Sequence, residues 1–532
     1  MTGGARVRPA DPVAEQRLLV ERLRERARRE HPGDAELIET HISHVLLAGA
    51  FAYKFKKPLN LGFLDFTALE ARRRFCAEEV RLNRRLAPAF YLDVVAVTEE
   101  GGEPRFGGPG GAVEYAVRMR RFRQEGLLDR LAPGGALDAR IEALAQQVAA
   151  FHAAAPAAGS GTLHGEPFEV VAPAAENFAQ LLVLCTDPAR HARLERLRDW
   201  TEAEAGRLNA AFRRRKREGR VRECHGDLHL GNMVLVDGEV VIFDCIEFEP
   251  GLRWIDVMSE VAFLAMDLYR RGLPGLARRF LNAYLEETGD YAGVAVLRFY
   301  LVYRAMVRAK VAAIRAGQAA AGDGAAAAME RECEEHLRLA ERFVAAEAPM
   351  LLVMCGVSAS GKSRFSRRLL PLADAIRVRS DVERKRMHGL KALEKSGSAL
   401  DRGLYTQDAT AAVYDRVAEL CRAILDAGWV AIADATFLKR WQRERLRREA
   451  REAGVPCAVV EFAAAEAVLR GRVERRLKKA DNASEADLEV LARQLAAREP
   501  LAGDEADVVL RIDTGVTSDP DPMEILARAR GA

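Results

Sequence analysis

Two short segments of this 532-residue chain carry reactive side chains at spacings that chemistry can use. The first is His225-Gly-Asp227-Leu-His229-Leu-Gly-Asn232, in which an aspartate and an asparagine have four residues between them. A loop of that spacing projects both side chains into one cleft, where Asp227 would accept a hydroxyl proton and Asn232 would bind Mg²⁺. Twelve residues beyond Asn232, Val-Ile-Phe-Asp244 delivers a second carboxylate from an apolar strand, placed to share that metal. His225 and His229 read as orienting or packed residues, because Asp227 already stands where the base is needed.

The second segment, Gly356-Val-Ser358-Ala359-Ser360-Gly361-Lys362-Ser363, satisfies GxxxxGK[ST] between an apolar strand and a helical stretch. Gly356 and Gly361 allow a tight backbone turn, so the N–H groups through Ser358, Ala359 and Ser360 point at phosphate oxygens. The helix that follows adds its positive end. Lys362 would touch the β- and γ-phosphates of ATP, and Ser363 would ligate Mg²⁺. Two aspartates follow later strands. Asp381 would accept a proton from a substrate hydroxyl or orient it, and Asp434 would hold Mg²⁺ through water, with an ordinary helix N-cap as the alternative for each. A basic run from Arg470 to Lys479 has helical spacing; Arg472 and Arg475 or Arg476 would form a lid over the transferred phosphoryl group, against the alternative of a solvated helix face.

The elements that must position these groups follow from periodicity. Phe51–Lys57 alternates as a half-buried strand stopped by Pro58, with Lys54 and Lys56 on one face. A helix over 67–86 and strands near 92–97 and 113–119 complete a small mixed lobe. Residues 137–155 are helical in pattern, 225–248 hold two short strands around Asp237-Gly238, and 255–344 read as almost wholly helical. Past Ala348 the texture changes to strands at 351–355, 375–378, 429–433, 458–462 and 508–512 separated by helices, the pattern of a parallel sheet covered on both faces. The fold class is therefore α/β multidomain: an N-terminal extension over 1–30, an α+β domain over 31–348, and a parallel-sheet domain over 349–532.

Composition is that of a globular protein, 49% hydrophobic and 30% charged, with a net charge of only +3. That balance does not favour a dedicated nucleic-acid binder. The eight scattered cysteines form no CxxC pair and read as reduced, buried thiols. No apolar run is long enough to span a bilayer and the start lacks a signal-peptide core, so the cytoplasm is the expected compartment.

The C-terminal motifs GVSASGKS, VRSDVERKR, IADATFLKRWQRERLR and LRGRVERR together resemble small P-loop kinases related to the gluconate kinase, zeta-toxin and polynucleotide kinase groups. HGDLHLGN followed by IFDCIEF resembles the aminoglycoside phosphotransferase and choline kinase superfamily, whose fold is bilobal and protein-kinase-like. The joined chain is similar to bacterial bifunctional aminoglycoside phosphotransferase-like, P-loop ATP-binding proteins. This resemblance implies a lysine that grips the nucleotide phosphates and pairs with a helical glutamate. Lys54 or Lys56 with Glu79 are the natural candidates, and Met119 to Phe122 would be the hinge against adenine. No GxGxxG precedes this lysine pair, so a different loop must cover the phosphates. Glu247, Glu249, Asp256, Glu260 and Asp267 are candidate acids for a cationic acceptor. The function expected is ATP- and Mg²⁺-dependent phosphorylation of a hydroxyl on a small polar molecule. A C-terminal polynucleotide 5′-kinase, or one domain serving as a non-catalytic ATP-binding module, are the alternatives.

Overall fold

Asp11 starts the first helix: its carboxylate accepts the Val13 N–H at 3.0 Å and Pro12 fills the first turn, giving α1 (Pro12–Glu30). The computed structural model describes residues 11–62, 64–318, 324–345, 347–392, 394, 406–477, 487–502, 504–505, 508–515 and 521–530. It divides into two compact units, Met1–Ala136 with Ala154–His164 and Gly219–Glu260, and Leu137–Ala153 with Gly165–Glu218 and Val261–Ala532.

In the first unit, β1 (Ala35–Glu39), β2 (Ser43–Ala48), β3 (Phe51–Lys56), β4 (Tyr91–Glu100), β5 (Glu103–Phe106) and β6 (Ala112–Arg120) form one antiparallel sheet in the order β1-β2-β3-β6-β4-β5. The N-terminal segment read as an extension is packed onto this sheet. Val20, Leu23 and Ala27 of α1 bury against Leu46, Phe55, Val97 and Ala116, and the Gln16 amide bonds the Lys56 carbonyl and Glu114 at 2.7 Å each. Burying each such Val or Leu stabilises by roughly 1.5–3 kcal/mol, so Leu23→Ala would loosen the helix from the sheet. A second cluster joins Cys76 and Val80 of α2 (Leu69–Asn83) to Tyr91 and Val117.

Two further strand pairs complete this unit: β7 (Val221–Glu223) with β10 (Trp254–Asp256), and the hairpin of β8 (Met233–Val236) and β9 (Glu239–Ile242). The hairpin closes through Asp237 and Gly238 at φ +51° and +87°, the left-handed pair that a two-residue turn requires.

The second unit carries long helices, among them α3 (Pro274–Thr288), and a parallel sheet of β11 (Leu351–Cys355), β12 (Ala375–Arg379), β13 (Val430–Asp434), β14 (Cys457–Ala463) and β15 (Val508–Asp513) in the order β12-β13-β11-β14-β15. Every residue of β11 is buried, as a strand covered on both faces must be. Its core joins Leu352, Met354, Ile432 and Val460 to Phe365 and Leu369. The helices that bear on the site are α4 (Lys362–Leu369), α5 (Ser380–Met387), α6 (Glu466–Leu477) and α7 (Leu488–Ala497). Among the described residues no helix is long and apolar enough to cross a membrane. All eight cysteines are free thiols.

Candidate active sites

In the first unit β3 and α2 face each other through charge. Lys54 Nζ lies 2.9 Å from Glu79 Oε1 and 2.5 Å from Asp244 Oδ1, while Lys56 Nζ donates to Glu79 Oε2 at 2.6 Å and to Glu247. The two lysines are separated by exposure: Lys54 lines a cavity of about 260 Å³ together with Asn232, Asp244 and Met119, whereas the Lys56 side chain is 1% exposed. Burial alone would lift the Glu79 carboxyl, but the ammonium groups of Lys54 and Lys56 overcome it and hold it at about 2. At Glu247 burial prevails and pushes the carboxyl up. The cavity walls are apolar, with Leu47 and Ala52 from the sheet and Leu127 and Phe243 beyond it. Ile38, Thr40 and Val45 also line it, so the β1–β2 hairpin covers the cavity without a glycine-rich sequence.

The residues of the 225–232 loop converge by hydrogen bonding. Asn232 donates its amide to Asp227 Oδ2 at 2.9 Å and to the Asp227 carbonyl at 3.0 Å, leaving Oδ1 as its remaining ligand atom. His229 Nδ1 accepts the Gly231 N–H at 3.0 Å, and its Nε2 stands 3.3 Å from Asp227 Oδ2. Asp244 adopts φ +66°, a left-handed conformation that costs a non-glycine residue about 1–3 kcal/mol. Its surroundings impose that geometry. Tyr91 Oη accepts the Asp244 N–H at 3.2 Å, Asn83 Oδ1 accepts the Cys245 N–H at 2.9 Å, and the His225 carbonyl accepts the Ile246 N–H at 3.1 Å. A carboxylate and a carboxamide oxygen are hard donors of the type Mg²⁺ takes.

Sequence reasoning missed the groups that hold this loop. Glu260, fully buried, accepts the N–H groups of His225 at 3.1 Å and Gly226 at 2.6 Å. Glu260 and Glu247, weighed as acceptor-pocket acids, are therefore consumed by backbone amides and by Lys56. An acidic residue in the first turn of an apolar helix was the only available signal for Glu260, and it has many other meanings.

In the second unit Gly356 and Gly361 take φ +145° and +104°. A Cβ at Gly356 would meet the Phe462 carbonyl at 2.5 Å and Ser360 Oγ at 2.8 Å, and one at Gly361 would meet Thr514 at 3.2 Å, so side chains would fill the loop. Lys362 Nζ folds onto the Gly356 and Val357 carbonyls at 2.7 and 2.9 Å. Ser363 Oγ donates to Asp434 Oδ1 at 3.3 Å, and Ser366 Oγ to Asp434 Oδ2 at 2.9 Å.

Neither aspartate is a helix cap, since Arg379 and Lys439 occupy the cap positions of the helices that follow. Asp381 accepts from Arg379 Nη2 at 2.8 Å. Burial would raise its carboxyl, and the Arg379 guanidinium holds it below the ordinary aspartate value.

The basic run divides. Arg472 bonds Thr514 Oγ1 at 2.8 Å, the Thr514 carbonyl at 2.7 Å and the Ala359 carbonyl at 3.3 Å, bracing the loop and the end of β15. Arg475 is exposed and bonds the Gly471 carbonyl at 3.1 Å. The Arg476 side chain, Lys478 and Lys479 lie outside the described residues. A residue not anticipated from sequence, Gln494 of α7, accepts the Ser358 N–H at 2.7 Å.

Comparison with known proteins adds family. Residues 69–300 match the model described as "Phosphotransferase enzyme family", and residues 351–501 the model described as "AAA domain". The chain is 34% identical over 482 residues to the uncharacterized protein Rv2004c of Mycobacterium tuberculosis (strain ATCC 25618 / H37Rv), covering 90% of this chain and 91% of that one. Among solved structures, a sugar kinase from Janibacter sp. HTCC2649 is 23% identical, covering 35% of this chain and 94% of its own with a TM-score of 0.26. A choline/ethanolamine kinase family protein from Mesorhizobium loti is 14% identical, covering 60% and 99% with a TM-score of 0.35.

Proposed function

We propose, for a chain that belongs to the kinase family joining a phosphotransferase enzyme domain to an AAA-type P-loop domain, that each domain binds MgATP and transfers its γ-phosphoryl group to a hydroxyl of a small polar molecule. The observation that carries the reading is the convergence of Lys54, Asn232 and Asp244 on one apolar-walled cavity, with Asp227 bonded to Asn232 beside it. Lys54 grips the α- and β-phosphates, and the apolar walls take the base. Asn232 and Asp244 would hold Mg²⁺, which would supply positive charge against the transferring phosphoryl group. Asp227 takes the acceptor's hydroxyl proton as the new O–P bond forms and ADP leaves.

In the P-loop domain the glycine-lined cradle holds the phosphates by backbone N–H groups, and Lys362 turns from its own loop carbonyls onto the β- and γ-oxygens. Ser363 and Asp434 hold the metal, and Asp381, kept ionised by Arg379, is the proton acceptor. The test is ADP release from MgATP with pooled small polyols, sugars and amino alcohols as acceptors, comparing Asp227→Asn with Lys362→Ala. Each substitution should abolish a different subset of acceptor-dependent turnover. Full acceptor-dependent turnover in the double variant would sink the reading.

A further inference from the structure

Helix α3 falls within the residues matched by the phosphotransferase family model, yet its Asn282 and Glu286 are directed at the P-loop domain's edge strand. Asn282, 5% exposed, donates Nδ2 to the Ala375 carbonyl at 2.9 Å and accepts the Arg377 N–H on Oδ1 at 2.8 Å. Its carboxamide pairs with β12 as a neighbouring strand would, covering an edge that otherwise presents unpaired backbone groups.

One turn further along α3, Glu286 reaches two arginines of that strand. Its Oε1 accepts from Arg379 Nη1 at 2.8 Å and its Oε2 from Arg377 Nη2 at 3.1 Å. The remaining terminal nitrogen of each guanidinium faces the P-loop site. Arg379 Nη2 bonds Asp381 Oδ2 at 2.8 Å; Arg377 Nη1 bonds Ser366 Oγ at 3.2 Å and stands 3.9 Å from Asp434 Oδ2. One carboxylate from α3 therefore divides two guanidinium groups between itself and the two aspartates.

We propose that Glu286 is a positioning residue of the P-loop kinase site, supplied by a helix of the phosphotransferase part of the chain. This rests on the reading of Asp381 and Asp434 given above. Arginine prefers to bind a carboxylate with both ends of its fork. With Glu286 in place, Arg379 meets Asp381 through a single nitrogen on Oδ2, while Oδ1 accepts the Val382 N–H at 3.0 Å and keeps a second lone pair outside the arginine pairing. Without Glu286 both guanidinium groups are free to close onto Asp381 and Asp434, covering the oxygens the reaction uses. The P-loop site is thus set for turnover only while α3 is docked on β12.

The test uses the full chain carrying Asp227→Asn, so that ADP release reports the P-loop site, with MgATP as the probe and water as the acceptor. Glu286→Gln is expected to lower kcat roughly ten- to hundredfold, the scale of a small misplacement of catalytic groups, and to leave KM for MgATP within about twofold. Glu286→Asp, which keeps the charge, should restore most of that loss. Should Glu286→Gln fail to fold, Glu286→Asp still decides: its carboxylate, set back by one methylene, should lower kcat roughly threefold with KM for MgATP unchanged, and a fully parental kcat overturns the inference. If Glu286→Gln raises KM or lowers thermal stability while kcat is unchanged, α3 is scaffold only and the inference falls. If Lys362→Ala leaves ADP release intact, the P-loop reading itself is wrong and takes the inference with it.

Discussion

His229 Nε2 stands 3.3 Å from the Asp227 carboxylate while its Nδ1 accepts the Gly231 N–H at 3.0 Å. The bond to Gly231 leaves the ring proton on Nε2, so the imidazole points an N–H at the proposed base and fixes its direction. Hydrogen bonds to charged groups contribute about 1.5–3 kcal/mol, so His229→Ala in a Lys362→Ala background should lower kcat roughly ten- to hundredfold. KM for MgATP should stay within about twofold. A kcat equal to the parent would show that Asp227 needs no such support.

Lys54 and Lys56 should separate cleanly by assay. Lys54 lines the cavity, so Lys54→Met is expected to cut kcat/KM for MgATP by about 10²- to 10³-fold, with a smaller loss of stability than at Lys56 because Lys56 still neutralises Glu79. Lys56 instead neutralises Glu79 and Glu247 in the interior, so Lys56→Met should destabilise by about 3–5 kcal/mol, read from denaturant midpoints. The reverse pattern would assign the nucleotide contact to Lys56.

Glu79 makes stability pH-dependent in a definite direction. Its carboxyl is lowered from 4.5 to about 2 in the fold, so its contribution is complete above 4.5 and is lost as the pH falls toward about 2. Glu79→Gln should therefore lower stability at neutral pH and flatten the fall of unfolding free energy between those two values. Parallel pH profiles for variant and parent, from denaturant titrations at pH 7, 4 and 3, would contradict the assignment.

Gln494 occupies a P-loop N–H that the nucleotide would claim. A neutral hydrogen bond contributes about 0.5–1.5 kcal/mol, so Gln494→Ala should tighten binding of a fluorescent ATP analogue by a few-fold to about tenfold. Unchanged affinity would mean that the Ser358 amide lies outside the cradle.

Local chemistry explains what was legible without coordinates. The GxxxxGK[ST] segment and the Asp227, Asn232, Asp244 set announce themselves because backbone turn, metal ligation and proton transfer each demand particular residue types at short separations. The apolar runs of β11 and β13 were equally plain, since strands covered on both faces tolerate little else. By contrast, the hairpin of β1 and β2, with Glu36, Glu39 and Ser43 interrupting its apolar positions, has too little alternation to be read as strands. Residues 1–30 read only as an extension, and the charged surface of α1 outweighs the narrow stripe of Gln16, Val20, Leu23 and Ala27 that docks it.

The sequence by itself determined the two kinase-type domains and their order. Only the tertiary structure decided which of two lysines faces the cavity, that Glu260 holds the loop of Asp227 and Asn232, and that Glu286 bridges Arg377 and Arg379. Those outcomes depend on side chains brought together from 34 to 190 residues apart, as Glu260 with Gly226 and Lys54 with Asp244 show. Charges at such separations carry no periodicity, and an acid that will be buried against an amide has the same letter as one that will face water.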